Sequence, residues 1–213
     1  SAFLLVALEW AAATRENNTW IIWLLPIAGL LIGLSYHYYG VIAVKGNNLL
    51  LEEYEKPVVK IPLRMAPLVL FGTIGTHLFG GSAGREGTAV QMGGAIADRV
   101  YFSKISLKST ALSFVVAYFA YYTVELWQVH HTQYAIPFVP DFSLTTLAWI
   151  IPASLLFGLA AMLFSRSTHF WGKLFATYFT YAPLRPFVGG IIIATVVFLM
   201  GTTKFIGLGV PTI

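Results

Sequence analysis

Long apolar runs broken by short polar ones, rather than one apolar stripe, set the pattern of this chain. Ser1 to Ala13 is apolar but too short to span a bilayer, and Thr14-Arg15-Glu16-Asn17-Asn18 reads as a polar loop whose Asn18 or Thr19 caps the next helix. A spanning helix follows from about Trp20 to Gly40, with Trp20, Trp23, Tyr36, Tyr38 and Tyr39 towards its two ends, as in an interfacial aromatic belt. The stretch 45–57 is the most polar of the chain and reads either as a solvated loop or, at Gly46-Asn47-Asn48, as a backbone break beside a buried helix end. Helices are then expected over Pro62–Phe79, Thr88–Val100, Ser109–Trp127, Thr146–Ser165, Phe170–Tyr181 and Phe187–Met200. Several are too short to cross about 30 Å of hydrocarbon upright, which points to broken helices meeting near the midplane.

Composition sharpens this picture. With 57% hydrophobic and 10% charged residues and a mean hydropathy of +0.74, the chain is too apolar for an ordinary soluble domain and reads as a multi-pass all-α membrane protein. The net charge of +4 is carried by Lys and Arg scattered over short loops, which fits membrane topology signals and argues against nucleic acid. The absence of cysteine removes disulfides and thiolate metal sites. The apolar start at Ser1 and the stop at Ile213 suggest a piece of a longer protein.

The chemistry concentrates at Gly80-Gly81-Ser82-Ala83-Gly84-Arg85-Glu86-Gly87-Thr88, a glycine-rich turn that places one carboxylate just before an expected helix start at Thr88. A helix N-terminus presents free N–H groups to anions, and the Glu86 carboxylate can take the place of a small one. Two readings stand: a structural acid paired with Arg85, or a mobile carboxylate between Gly84 and Gly87. The first needs an irregular backbone, because adjacent residues on a helix point apart. The second couples charge to movement, since protonated Glu86 loses its attraction for the positive helix end and swings away. His77 on an apolar helix reads as a hydrogen-bonded core histidine rather than a proton relay, and His130-His131 beside Trp127 as interfacial. No spacing matches a metal site, a hydrolase triad or a P-loop, so an enzyme has little support and no cofactor is called for. Gly207-Leu208-Gly209-Val210-Pro211-Thr212 is a second glycine turn, either an exit loop or a source of donors from the Val210 backbone and the Thr212 hydroxyl.

These residues resemble the CLC anion channels and transporters, whose gating signature reads G-[KR]-E-G-P. Gly84-Arg85-Glu86-Gly87 matches it, Val90-Gln91-Met92-Gly93-Gly94 matches the helix after it, and Ile61-Pro62-Leu63-Arg64 resembles the lead-in. Thr88 replaces the usual Pro, and Gly46-Asn47-Asn48-Leu49-Leu50 replaces the usual G-S-G-I-P anion segment. Both departures, with Gly209-Val210-Pro211-Thr212, are similar to the bacterial fluoride/proton antiporter branch. The resemblance implies a CLC-like fold of broken and tilted helices, a single transmembrane domain over 1–213 amounting to about one inverted repeat. Family helices are expected to be missing between about 103 and 108 and after 213. It implies Glu86 as the gating and proton-accepting residue, and Gly46, Asn47, Asn48, Gly84, Arg85, Gly87, Thr88, Val210 and Thr212 as anion-binding. The function it implies is proton-coupled fluoride export by a homodimer in the inner membrane, with lipid, fluoride or chloride, and protons as partners. The alternatives are a chloride or nitrate CLC, or a non-transporting CLC-like fragment.

Overall fold

A computed structural model of the chain describes residues 2–55, 61–100, 107–128, 139, 141 and 143–207. Two compact units are built from them. The first holds α1 (Ala2–Asn17), α2 (Leu25–Tyr39), α3 (Asn47–Glu55), α4 (Met65–Leu78), α5 (Arg85–Val100), α6 (Leu107–Leu126) and α8 (Leu184–Met200). The second is formed by α7 (Leu144–Tyr178). Among the described residues there is no strand, as the all-α reading expects.

Where the helices differ from expectation, local chemistry explains the difference. α1 runs on through Thr14-Arg15-Glu16-Asn17, and Arg15 is 6% exposed rather than solvated in a loop. Asn18 caps nothing; its Nδ2 donates back to the Thr14 carbonyl at 3.1 Å. A 3-10 turn at Thr19–Leu24 feeds α2, whose early Pro26 suits a helix start because its missing N–H is not needed there. The polar stretch after Gly46 is helical, with Leu49 buried while Glu52 stays in solvent and pairs with Lys45. The two helices expected over 146–181 are one. Ser143 Oγ caps it by accepting the Thr146 N–H at 3.1 Å, and Pro152 lies inside it. The expected break at Ser165–His169 does not occur, because those residues tolerate a helix and Thr168 Oγ1 bonds the Ser165 carbonyl.

α2 and α8 approach closely enough for their small residues to interlock. Gly190 of α8 lies against Pro26, where an added Cβ would stand 2.8 Å from the Pro26 backbone. Gly29 of α2 meets the Pro186 carbonyl in the same way, at 2.6 Å. Such small-residue contacts are how apolar helices gain packing where no hydrophobic effect drives them together. On its other side α2 packs on α4 through Tyr36, which covers Gly72, and Ile32, which covers Gly75. Beneath α3 a core forms from Ala43, Leu49, Ile61, Met65, Val69 and Ala95.

Apolar side chains also face outward. None of the residues of α7 is buried, although Trp149, Leu155, Phe157 and Phe164 lie along it, and α8 exposes Ile191, Ile192 and Phe198. Exposed apolar surface of this extent marks contact with lipid or with other apolar partners. Thr19–Tyr39 and Leu144–Tyr178 are long and apolar enough to cross a membrane, whereas the 14 residues of α4 are not. At 1.5 Å per residue α4 spans only about 21 Å.

Candidate functional site

The site begins where α4 ends. Gly80 takes a left-handed conformation (φ +93°), and the Gly81 N–H reaches back to the Thr76 carbonyl at 2.7 Å while the Gly80 N–H reaches the His77 carbonyl at 3.3 Å. This double closure satisfies carbonyls that a helix end leaves open, and it needs a residue without Cβ at Gly80. The chain then passes irregularly through Ser82, Ala83 and Gly84 and enters α5 at Arg85, three residues ahead of the expected start at Thr88. Gly84 faces open space, with nothing within 4 Å of where its Cβ would stand.

Glu86 therefore sits inside the first turn of α5 instead of before it. Its side chain is 78% exposed, and its Oε1 accepts the Arg85 Nε–H at 3.0 Å. The expectation that this pair requires an irregular backbone is corrected: at a helix start no preceding turn blocks the Arg85 side chain from curling onto its neighbour. The Glu86 carboxylate also accepts from its own backbone N–H, so it already occupies the positive end of the helix, where carboxylates are favoured.

α3 closes over this turn. Gly46 turns the chain at φ +59° and Asn47 opens the helix. The Gln91 Nε2–H donates to Asn47 Oδ1 at 3.0 Å, which fixes the amide so that Asn47 Nδ2 faces Gly87, 3.4 Å from where a Cβ there would stand. One turn on, Leu50 packs against Gly94 of α5. Gly46, Asn47, Gly84, Arg85, Glu86 and Gly87 are thus brought together, while Asn48 is exposed on α3.

Thr88 behaves differently from its neighbours. It is buried, its hydroxyl donates to the Gly84 carbonyl at 3.0 Å, and it lies 2.7 Å from Thr73 Oγ1 on α4. Because the Thr88 hydrogen is used on Gly84, the Thr73 hydroxyl is the donor between them. One turn along α4, the fully buried His77 donates Nδ1–H to the Thr73 carbonyl at 2.9 Å. Its Nε2 has no hydrogen-bond partner among the described residues. The core reading of His77 agrees with this burial. Thr73, Gln91, Ser82 and Arg15 escaped sequence reasoning. Gln91 did leave a signal, a lone polar side chain between Val90 and Met92, whereas Arg15 was hidden among Thr14, Glu16 and Asn17. Val210, Thr212, His130, His131 and the junction at 101–106 lie outside the described residues. Among the described residues no group of three or more His, Cys, Asp or Glu is placed to hold a metal ion.

Comparison with known proteins places this geometry in context. The family model described as voltage gated chloride channel matches residues 28–104 and 99–213. A chloride/fluoride channel protein of Pseudomonas syringae pv. tomato is 38% identical over 260 aligned residues, covering 100% of this chain and 58% of that protein. The crystal structure of a CLC-type fluoride/proton antiporter superposes with a TM-score of 0.87 at 24% identity, over 99% of this chain and 64% of that one. The chain thus spans about three fifths of the length of the relatives it matches.

Proposed function

The chain belongs to the voltage-gated chloride channel family and carries its α-helical membrane fold, and on that premise we propose that it forms part of a proton-coupled fluoride exporter. One observation carries the reading: the Asn47 amide, oriented by Gln91, faces the α5 turn that bears Glu86. Fluoride is small and strongly hydrated, so taking it from water requires strong donors, which an amide Nδ2–H and the free N–H groups of a helix start supply.

The steps follow from charge. Ionised Glu86 holds the N-terminal turn of α5 through its backbone N–H and Arg85, which keeps an anion out. When Glu86 takes a proton it loses that attraction, and the exposed side chain is free to leave. The anion then meets Asn47 Nδ2, the open Gly84 backbone and the guanidinium of Arg85. Gly46, Asn48, Gly87, Thr88, Val210 and Thr212 complete the proposed anion site, with Thr88 acting through its hold on Gly84. Return of Glu86 requires release of its proton, so one carboxylate links proton and anion movement in opposite senses.

The remaining features of this reading are a homodimer in the bacterial inner membrane and a single transmembrane domain from which a stretch of the family fold is absent between α5 and α6. Two observations support the last point: the family match falls into two segments that meet at 99–104, and the alignment to the Pseudomonas relative is longer than the chain.

Efflux from liposomes holding the full-length protein, followed with fluoride, chloride and pH electrodes, tests the function. Fluoride efflux well above chloride, with opposed proton movement that disappears in Glu86→Gln, is the expected result. A neutral amide cannot titrate, so proton movement retained in that variant overturns the mechanism. Chloride efflux at a similar rate to fluoride overturns the selectivity and leaves a general chloride or nitrate transporter.

A further inference from the structure

Arg15 is a buried cation at the end of an apolar helix, and the groups it meets come from remote parts of the chain. Its Nη1 donates to the His77 carbonyl at the C-terminus of α4 at 2.9 Å, and its Nη2 lies 3.6 Å from Glu16 Oε1. A guanidinium at a helix C-terminus meets favourable partial charge. Yet α4 does not need Arg15 as a cap, because the Gly80 N–H already reaches that carbonyl. What Arg15 adds is a flat surface, and Gly207 (φ +73°) lies on it: a Cβ at Gly207 would collide with Nη1 and stand 3.0 Å from Cζ. The Gly207 carbonyl in turn accepts the Ser82 hydroxyl at 2.8 Å. Beside this contact the side chain of Ile206, buried itself, packs over Gly80.

In the sequence, both partners of this contact stand just ahead of residues of the proposed anion site. Ser82 precedes Gly84, Arg85 and Glu86, and Gly207 precedes Val210 and Thr212. We propose that Arg15 and Ser82 are positioning residues: they clamp Gly207 against the glycine turn and so hold that turn, and the start of α5 that bears Glu86, in place. The proposal rests on the fluoride-export reading for its transport consequence but not for the clamp itself. The Arg15 guanidinium is engaged by the His77 carbonyl and by Gly207, and acts by presenting a rigid face that a lysine lacks.

The test uses the full-length protein with Ser82→Ala, Ser82→Thr, Arg15→Lys and Gly207→Ala. Losing one such hydrogen bond is worth about a 3- to 10-fold change in an equilibrium. Ser82→Ala is therefore expected to raise the half-saturating fluoride concentration by about that factor and to lower fluoride over chloride discrimination, with the thermal midpoint in detergent unchanged. Ser82→Thr keeps the hydroxyl and restores both values, while Arg15→Lys and Gly207→Ala show larger shifts. Variants that lower only the thermal midpoint, with half-saturation and discrimination as in the parent, overturn the proposal and leave Arg15 a structural residue. Amide hydrogen exchange decides independently of which anion the protein moves. With the clamp lost, exchange is expected to rise together at 84–88 and 205–207, and unchanged exchange in Ser82→Ala and Arg15→Lys overturns it. A parent protein that moves no fluoride, but whose variants show this paired rise, retains the clamp and loses only the function reading.

Discussion

At the scale of single residues, the site divides into groups that are exposed and charged and groups that are buried and neutral. Glu86 and Arg85 belong to the first, Thr73, Thr88 and His77 to the second. Thr88→Val removes a hydroxyl that serves both Thr73 and Gly84, leaving the buried Thr73 hydroxyl without its acceptor while the Gly84 carbonyl keeps the backbone N–H of residue 88. A loss of about 1–3 kcal/mol is expected from denaturant titration in micelles. Adding Thr73→Val then costs less than its effect alone, since it removes the orphaned donor. Equal and additive losses would show that the two hydroxyls do not interact. Glu86 and its flanking glycines were legible in the sequence because the motif is local. Thr73, Ser82 and Arg15 were not, because their roles depend on partners 15, 125 and 62 residues away. Thr88 was read as an anion ligand, and only the fold reveals that its hydroxyl is engaged inside the protein.

At the scale of elements, neighbouring glycines on α8 meet opposite environments. A methyl group on Gly190 would press into the Pro26 backbone of α2, whereas one on Gly189 would meet nothing within 4 Å. Gly190→Ala should lower stability by about 1–3 kcal/mol through overpacking. Gly189→Ala should hold or raise it by up to about 1 kcal/mol, because alanine loses less freedom on entering a helix. Thermal midpoints measured in the same detergent separate the two, and a similar fall in both would mean that α2 and α8 do not meet at Gly190. Apolar run lengths made α2, α4, α6 and α8 readable to within a few residues. α3 was harder, because Glu52 and Glu53 gave it the composition of a loop while Leu49 and Leu50 anchor it on the core and on α5. The early start of α5 escaped notice for a related reason: glycine and charge at 84–87 read as turn, though the backbone there already satisfies Thr88 N–H to Gly84.

At the scale of the whole molecule, the outward-facing apolar surface defines the medium. Trp23 and Trp149 are both exposed, so their fluorescence should be strongly quenched when acyl chains of the surrounding lipid carry bromine. Quenching by aqueous iodide instead would place these faces in water. Membrane class and family resemblance were legible from composition and motif, since both are properties of sequence alone; which helices lie against one another was not. The unbroken α7 has a practical consequence for finding which way the protein faces. From Leu144 to Phe164 it carries no charged side chain, a rise of roughly 32 Å at 1.5 Å per residue, close to the roughly 30 Å hydrocarbon thickness. Because the helix continues past Phe164, Arg166 and the hydroxyls beside it must emerge on a single side. These 213 residues contain no cysteine, so among them Ser167→Cys creates a lone thiol there and Ser154→Cys one within the hydrocarbon. A maleimide that cannot cross lipid should modify the first from one face of a sealed vesicle and leave the second untouched, turning a stiff rod of sequence into a compass for the orientation of the molecule.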